Sequence, residues 1–395
     1  MKELSVMRAT FLIMAMFLLQ PLVIGGWLAI IPLVQEDLGL SKAELALALM
    51  GTPIALIPCL QVAGRIVARF GPRRIFIAVF PLQSVAGLLP LVAWSGPSLF
   101  VALFLLGAAI AFLEVGINVY AGRLEKRADM AIMNRCHGFW ALGLACGSAV
   151  VTFLVASPWH ALALLALIST LAGVSGARAM PALGDGDIVA SPPRRRMADV
   201  PAALAPVAAF MFFATLAEGS LADWAAVYFA ERTGSVEARA GIAVTIFSAF
   251  MAGGRFAGDW LKLRLGAVRL ARLTTGSAIL GLLLLVLPLP LALALPGFAL
   301  AGFGISTAYP LGVSAVAALD DRYEASNIAI MATVALGGFL VGPPLIGFLA
   351  EALSLPVALG ALVPGLVLGL FLTRWLGVGR TGNAARKSGP GLASR

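Results

Sequence analysis

The chain has 395 residues, of which 61% are hydrophobic and only 12% charged, and its mean hydropathy is +0.98. A water-soluble protein of this length could not bury so much apolar surface, so the composition excludes the soluble globular classes. The sequence therefore predicts an all-α polytopic membrane protein. Its three cysteines have no metal-binding or disulfide spacing, and we expect no metal site.

Twelve apolar stretches are long enough to form transmembrane helices. We place them near residues 9–34, 43–63, 75–94, 98–121, 131–156, 159–177, 201–229, 240–261, 270–289, 291–319, 325–352 and 355–376. The first stretch is longer than the core of a signal peptide and has no clear cleavage site, so we expect it to be retained.

The basic residues are distributed unevenly about these helices. If both termini lie in the cytoplasm, all 28 lysines and arginines except Lys42, Arg232 and Arg239 fall on the cytoplasmic side. This distribution follows the positive-inside rule for a multi-pass protein of the inner (plasma) membrane. The net charge of +9 therefore indicates orientation, and we expect no nucleic-acid partner.

A polar segment with three consecutive arginines, at 194–196, separates the sixth helix from the seventh. We expect it to be a cytoplasmic linker anchored at the membrane surface. The predicted domains are an N-terminal six-helix bundle at 1–178, the linker at 179–200, a C-terminal six-helix bundle at 201–378 and a disordered cytoplasmic tail at 379–395.

A basic turn with two glycines follows the second helix. It reads Gly64-Arg65-Ile66-Val67-Ala68-Arg69-Phe70-Gly71-Pro72-Arg73-Arg74 and resembles the signature of the major facilitator superfamily at this position, roughly G-x-x-x-D-R-x-G-R-R. Ala68 replaces the acid of that signature, and Pro72 replaces the first of its paired arginines. The resemblance covers nearly the whole chain and implies two parallel six-helix repeats that move a small-molecule solute by alternating access.

The same pattern recurs in the second half of the chain. A shift of 195 residues superimposes Arg69 on Arg264, Gly71 on Gly266 and Arg74 on Arg269. The shift also pairs Gly39 with Gly234, Gly107 with Gly302, Gly143 with Gly338 and Gly147 with Gly342. Matches in this order predict a duplicated unit whose two copies have the same orientation. We interpret the glycines of the fifth and eleventh helices as packing and hinge elements.

Charged residues at the cytoplasmic ends of the second and eighth helices are the predicted gate. Because Ala68 lacks the usual carboxylate, we expect the latch of the outward-open state to depend more on Arg255 and Asp259. The predicted gate residues are Arg69, Arg73, Arg74, Arg255, Asp259 and Arg264.

The most informative stretch lies late in the fourth helix, at Leu113-Glu114-Val115-Gly116-Ile117-Asn118-Val119-Tyr120. Glu114 and Asn118 are four residues apart and so share one face of a helix. An acid at this depth is costly unless it lines a cavity or has a partner. Glu114 is therefore a predicted proton-coupling group, with a structural helix-helix hydrogen bond as the alternative.

Other polar and aromatic residues within the helices are candidates for the same site. In the seventh helix, Glu218 is a second candidate for proton coupling, while Asp223 and Trp224 are candidates for substrate binding, with a place at the water interface as the alternative for both. The remaining predicted substrate-binding residues are Gln20 and Trp27 in the first helix and Tyr309 in the tenth. Tyr309 is the residue equivalent to Glu114 in the second half, so the scaffold is repeated but its chemistry is not.

The stretch around Glu114 also resembles the fourth helix of fucose-permease-type sugar/proton symporters, approximately L-E-x-x-x-N-P-Y. This resemblance implies that Glu114 takes part in protonation and that Asn118 lies beside the substrate. Those symporters carry a further acid in the first helix, whereas this chain has none between Arg8 and Gln35. Glu218 or Asp223 is a hypothetical substitute.

The sequence thus favours a secondary transporter for a small polar solute, such as a sugar or related metabolite, coupled to protons through Glu114. The alternatives are a proton-antiport exporter of amphipathic compounds and a receptor of the same fold that transports nothing. An enzyme is disfavoured because the chain has two histidines and neither an H-E-x-x-H nor a G-x-S-x-G motif. We expect no cofactor, a lipid bilayer around the chain, and a monomer.

Overall fold

The computed structural model describes residues 3–154, 157–183, 200–235, 238–320 and 323–377. Within these ranges twelve helices are long and apolar enough to cross a membrane, which confirms the predicted fold class. Numbered span 1 to span 12 in chain order, they are Leu4–Asp37, Lys42–Phe70, Pro72–Val92, Gly96–Ala128, Met133–Phe153, Pro158–Ala179, Leu204–Thr233, Arg239–Leu265, Ala267–Val286, Leu291–Ala317, Ser326–Ala352 and Leu355–Gly377.

An even number of spans places the start of span 1 and the end of span 12 on one face of the bundle. We call this the terminal face and the other the opposite face. Most of the predicted linker, at 184–199, and the predicted tail lie outside the described residues, so the domain boundaries stay predictions.

Apolar side chains occupy the outside of the bundle as well as its core. Leu171 in span 6, Leu280 in span 9 and Phe371 in span 12 are exposed, whereas Phe76 and Phe298 are fully buried. In a bilayer the outer set contacts lipid tails, because the surrounding solvent is itself apolar. This double use of apolar residues accounts for the high hydropathy of the chain.

Two of the repeated glycine pairs lie in equivalent loops of the two halves. Gly39 and Gly234 have φ angles of 62° and 67°, and Gly71 and Gly266 have φ angles of 80° and 76°. Positive φ is accessible to glycine at little cost because it lacks a Cβ. The repeated positions therefore have the same backbone conformation in both halves.

A third pair lets neighbouring helices approach closely. A Cβ added to Gly107 in span 4 would collide with the backbone oxygen of Thr52 in span 2. One added to Gly302 in span 10 would collide with the backbone oxygen of Phe247 in span 8. Since residues 52 and 247 are also related by the 195-residue shift, the same helix contact occurs twice.

The glycines of spans 5 and 11 play the same packing role. Gly143 and Gly147 lie against the backbone of span 1, and Gly338 and Gly342 lie against the backbone of span 7. Span 5 therefore packs on span 1 as span 11 packs on span 7, which confirms that these glycines are packing elements.

We expect Gly147→Ala to destabilise the protein by about 1–3 kcal/mol, because the new methyl group would overlap the backbone oxygen of Leu22. The matched control is Gly276→Ala in span 9, where an added Cβ meets no atom within 4 Å. Thermal unfolding of the purified variants in detergent measures the difference. Equal unfolding temperatures for the two variants would contradict this packing assignment.

Spans 1 and 10 are interrupted near their middles. Span 1 consists of the helices Glu3–Leu19 and Leu22–Asp37, separated at Gln20 and at Pro21, which lacks a backbone N–H donor. Span 10 consists of Ala294–Ile305 and Ala308–Ala317. Transporters place polar sites at such breaks, since the freed backbone groups need partners within the protein.

Candidate solute and proton site

A buried ion pair joins spans 7 and 8. Arg255 Nη2 lies 3.1 Å from Glu218 Oε1, and the two side chains are only 9% and 14% exposed. Removing two charges from water costs several kcal/mol each, so such a pair is costly to retain for packing alone. It is the first indication of a site with a function.

This ion pair places Arg255 deeper than the ends of the helices, and its role in the cytoplasmic gate stays a prediction. Arg255 precedes the end of its helix at Leu265 by ten residues, or about 15 Å of helix. Its guanidinium reaches Glu218 in the interior and does not lie at the terminal face. The motif pattern suggested a gate because Arg255 falls within the repeated basic segment of span 8.

Aromatic and backbone groups of span 5 surround the same guanidinium. Arg255 Cζ lies 5.9 Å from the centre of the Trp140 ring, a distance at which a cation is attracted to the ring face. Arg255 Nη1 also donates to the backbone oxygen of His137 at 3.4 Å. Span 5 belongs to the first half and span 8 to the second, so Arg255 connects the two halves.

A chain of amide groups holds the Trp140 indole in place. Trp140 Nε1 donates to Gln20 Oε1 at 2.6 Å, and Gln83 Nε2 in span 3 donates to the Gln20 backbone oxygen at 2.6 Å. Gln20 Nε2 donates in turn to Gln83 Oε1 at 3.4 Å. Gln20 is fully buried and its amide is satisfied by protein groups. These hydrogen bonds position Trp140, and a substrate-binding role for Gln20 stays a prediction.

Sequence reasoning did not find Trp140 or Gln83. Gln83 carried a usable signal, since an amide within an apolar helix must find a hydrogen-bond partner inside the protein. Trp140 carried none, because a tryptophan near a helix end is equally typical of the interfacial belt.

Glu114 and Asn118 share one face of span 4, as their spacing predicted. Asn118 Nδ2 donates to Glu114 Oε1 and to the Glu114 backbone oxygen, both at 2.9 Å. Both side chains are partly exposed, and Arg255 interacts electrostatically with the Glu114 carboxylate. Glu114 therefore belongs to the same group of charges as the ion pair.

Tyr309 lies on the other side of this group. Its side chain is 37% exposed, its ring centre is 6.4 Å from that of His137, and its hydroxyl interacts electrostatically with Glu114. Residues equivalent in the two repeats therefore meet at one site. The break in span 10 before Ala308 places Tyr309 at the start of a new helix.

The charges in this group do not cancel. Glu114 and Glu218 carry two potential negative charges, and Arg255 supplies one positive charge. With Arg255 paired to Glu218, the Glu114 carboxylate has the amide of Asn118 as its hydrogen-bond donor. Uptake of one proton at Glu114 would make the site neutral, which is the chemistry that a proton-coupled carrier needs.

Two tryptophans predicted to bind substrate are packed inside the protein. Trp27 is 3% exposed and Trp224 is fully buried against Gly347 in span 11. Neither ring is open to a solute in this arrangement, and a substrate-binding role for Trp27 and Trp224 stays a prediction. Asp223 is partly exposed and has no hydrogen bond or ion pair among the described residues, so it remains a candidate.

Three of the predicted gate residues contact their own half of the protein. Arg73 donates to the backbone oxygens of Ala177 and Arg178 at the end of span 6. Arg69 and Arg264 stack on the aromatic rings of Phe70 and Trp260. A latch role in another conformation stays a prediction for Arg69, Arg73, Arg74 and Arg264.

Asp259 is different, because it accepts a hydrogen bond from Asn134 Nδ2 across the two halves. Close beside it, Phe256 packs edge-on against Phe139 of span 5 at 5.3 Å. Spans 5 and 8 therefore remain in contact near the terminal face.

The opposite face is closed by contacts between the halves. Lys42 Nζ lies 2.9 Å from Glu231 Oε1 of span 7, and the Lys42 backbone N–H donates to Glu351 of span 11 at 2.9 Å. Ser148 Oγ of span 5 donates to the Gly241 backbone oxygen of span 8 at 2.9 Å. We call these contacts the opposite-face seal.

We expect Lys42→Ala to raise the population of molecules with an open seal by up to about fivefold. A partly exposed ion pair contributes about 1 kcal/mol at most to the closed state. The readout is the labelling rate of a cysteine at Thr245, which contacts Ser148, by an impermeant thiol reagent in a variant without native cysteines. Lys42→Arg keeps the charge and should label at the parental rate. Identical labelling of Lys42→Ala would exclude the ion pair from the seal.

Comparison with known proteins gives consistent matches over most of the chain. The sequence profile of the Major Facilitator Superfamily matches residues 9–320. An uncharacterized transporter, y4wD, of Sinorhizobium fredii is 29% identical over 349 residues, covering 86% of this chain and 90% of that protein. Membrane protein MosC of Rhizobium meliloti is 26% identical over 359 residues, covering 91% of this chain and 86% of that protein.

Solved structures of low sequence identity share the fold. The nucleoside transporter NupG has a TM-score of 0.65 at 15% identity, covering 97% of this chain and 100% of that one. A variant of the E. coli fucose:proton symporter FucP has a TM-score of 0.62 at 15% identity, covering 94% and 99% of the two chains.

Proposed function

The chain belongs to the Major Facilitator Superfamily and is a multi-pass membrane transporter, and on that premise we propose that it moves a small polar solute together with protons, with Glu114 as the proton carrier. The proposal includes the location: the inner membrane, with the terminal face in the cytoplasm. The strongly basic character of that face supports this orientation.

One observation carries the proposal. A partly exposed carboxylate, Glu114, lies within electrostatic reach of an arginine that is already paired with another acid. A carboxylate in this position can bind a proton in one step of a transport cycle and release it in another. An excess negative charge would destabilise a site that served only for packing. It is suited to a carboxyl group that is ionised in one state of the transport cycle and protonated in the next.

The groups around Glu114 indicate the class of solute. The site offers the amide of Asn118 and the carboxylate of Glu114 from the first half and the hydroxyl of Tyr309 from the second half. All three side chains are at least partly exposed. Such groups suit a solute with several hydroxyl or amide functions, such as a sugar or related metabolite, better than an apolar compound. The fucose and nucleoside transporters named above support the fold alone, because their identity to this chain is low.

The closed opposite face fits the cytoplasm-facing stage of an alternating-access cycle. In that stage a proton leaves Glu114 and the solute leaves the site towards the terminal face. The two halves then rock about spans 5 and 8, where Arg255 and Asp259 cross between them, and the opposite-face seal opens. A proton and a solute then enter the site from the opposite face. The proton neutralises Glu114 before the carrier returns to the cytoplasm-facing state.

A binding screen tests the solute class. The purified chain is heated with monosaccharides, sugar alcohols, sugar acids, nucleosides and amphipathic amines, and each stabilising compound is then used in counterflow exchange in proteoliposomes. The proposal predicts stabilisation and exchange by at least one hydroxyl-rich solute. Stabilisation by amphipathic amines alone would favour an exporter, and binding without exchange would favour a receptor.

We expect Asn118→Ala to weaken solute binding by about 1–2 kcal/mol, roughly 5- to 30-fold, because one polar contact at the site is lost. The half-maximal concentration in counterflow measures this change, with Asn134→Ala at the terminal face as the control for loss of an amide. Unchanged affinity would mean that Asn118 serves only to hold Glu114.

A further inference from the structure

A polar cavity lies at the terminal face, away from the solute site. Its volume is about 460 Å³, and it is formed by the ends of spans 2, 3 and 4 and the segment after span 6. Four arginines line it, Arg69, Arg73, Arg74 and Arg123, and no acidic side chain does.

The walls of this cavity are fixed by hydrogen bonds to backbone oxygens. The Arg73 guanidinium donates to Ala177 and Arg178 at the end of span 6, where the helix dipole favours a cation. Tyr120, also in the lining, donates to the Pro181 oxygen at 2.9 Å. The cavity is therefore held open by contacts that leave its positive charge in place.

The positive charge is not neutralised within the described residues. Arg74 and Arg123 have no hydrogen bond or ion pair there, although they share one cavity with two further arginines. Like charges that line one cavity repel one another, so an anion in the cavity would relieve the repulsion. Arginine also matches the geometry of a phosphate group better than any other cation.

The duplicated fold shows that this cluster is not a requirement of the scaffold. Under the 195-residue shift the second half keeps Arg264 and Arg269, equivalent to Arg69 and Arg74. Arg73 and Arg123, however, correspond to Val268 and Ala318. The four-arginine cavity is therefore specific to the first half.

Apolar side chains at the cavity indicate where its ligand comes from. Phe70 is 46% exposed, and Ile77 and Leu183 also contribute to the lining. The cavity thus combines a phosphate-sized cluster of arginines with apolar surface at the membrane boundary. We propose that it binds the phosphate of an anionic phospholipid headgroup at the cytoplasmic surface.

The test uses the purified full-length chain in detergent and measures its unfolding temperature as lipid is added. Phosphatidylglycerol should stabilise the protein at lower concentration than phosphatidylcholine. In Arg74→Gln/Arg123→Gln, the half-maximal concentration of phosphatidylglycerol should rise about 25-fold, because each arginine at a membrane surface contributes roughly fivefold. Arg74→Lys/Arg123→Lys retains the charges and should keep most of the response.

The second half provides the matched control. Arg264→Gln/Arg269→Gln removes the same charge from the equivalent loop and should leave the response to phosphatidylglycerol unchanged. An equal loss in both double variants would overturn the proposal, because it would indicate attraction by net charge alone. An unchanged response of Arg74→Gln/Arg123→Gln with a parental unfolding temperature would also overturn it.

Two further arms identify the source of the anion. If inorganic phosphate alone reproduces the full stabilisation and phosphatidylglycerol adds nothing, the lipid source is overturned in favour of a soluble phosphate. The linker carries Asp185 and Asp187, which lie outside the described residues. If phosphatidylglycerol acts only after Asp185→Asn/Asp187→Asn, the linker's own acids occupy the cavity and the proposal fails.

Discussion

Glu114→Gln should abolish accumulation of the solute driven by a pH gradient while leaving counterflow exchange within about threefold of the parental rate. Glutamine keeps the size of the side chain and can still hydrogen-bond to Asn118, but it cannot release a proton. Counterflow exchange requires only that the solute-loaded protein alternates between the conformations open to each face. Accumulation needs the proton to leave, so the two activities should separate.

The measurement uses one preparation of proteoliposomes for both assays, with a solute that stabilises the purified protein. Glu36→Gln is the control, because Glu36 is an exposed acid at the end of span 1. Vesicles containing this variant should accumulate solute normally. Normal accumulation by Glu114→Gln would remove Glu114 from the coupling role. Loss of both activities, together with loss of solute binding, would assign Glu114 to binding alone.

Arg255→Met should lower the free energy of unfolding by about 3–5 kcal/mol, because it leaves Glu218 buried without its cation. The guanidinium also contacts the His137 backbone and the Trp140 ring, so the change should abolish transport. Denaturant or thermal unfolding of the purified variant in detergent measures the loss of stability.

The double variant Arg255→Met/Glu218→Met separates stability from function. With both charges removed, the unfolding free energy should return to within about 1 kcal/mol of the parent, because apolar side chains can replace a buried ion pair at little cost. Transport should remain lost. If the double variant were as unstable as the single one, the pair would not be coupled in the way that its 3.1 Å contact indicates.

The fold was predictable because its determinants are local or repeated. Hydropathy fixed the twelve spans, and the glycine matches at a shift of 195 residues predicted the duplicated unit. Gly107 and Gly302 fulfil that prediction most directly, since each allows the same close contact between equivalent helices. The contact between Glu114 and Asn118 was also predictable, because residues four apart on one helix are neighbours whatever the rest of the chain does.

The centre of the site was not predictable, because it depends on how helices face one another. Glu218 was a candidate on its own, but its pairing with Arg255 requires spans 7 and 8 to present those side chains to each other. Arg255 was assigned to the gate from its motif, without knowledge of the direction of its side chain. The hydrogen bond from Trp140 to Gln20 was also not predictable, because Trp140 has no distinguishing signal in the sequence.

The most direct test of the account is whether solute movement carries protons through Glu114. Proteoliposomes containing the purified chain and an internal pH dye are given a stabilising solute on the outside, with no imposed gradient of protons or charge. The account predicts acidification of the interior as solute enters the parental vesicles and none in vesicles containing Glu114→Gln. Entry of solute without acidification, or equal acidification with Glu114→Gln, would contradict it.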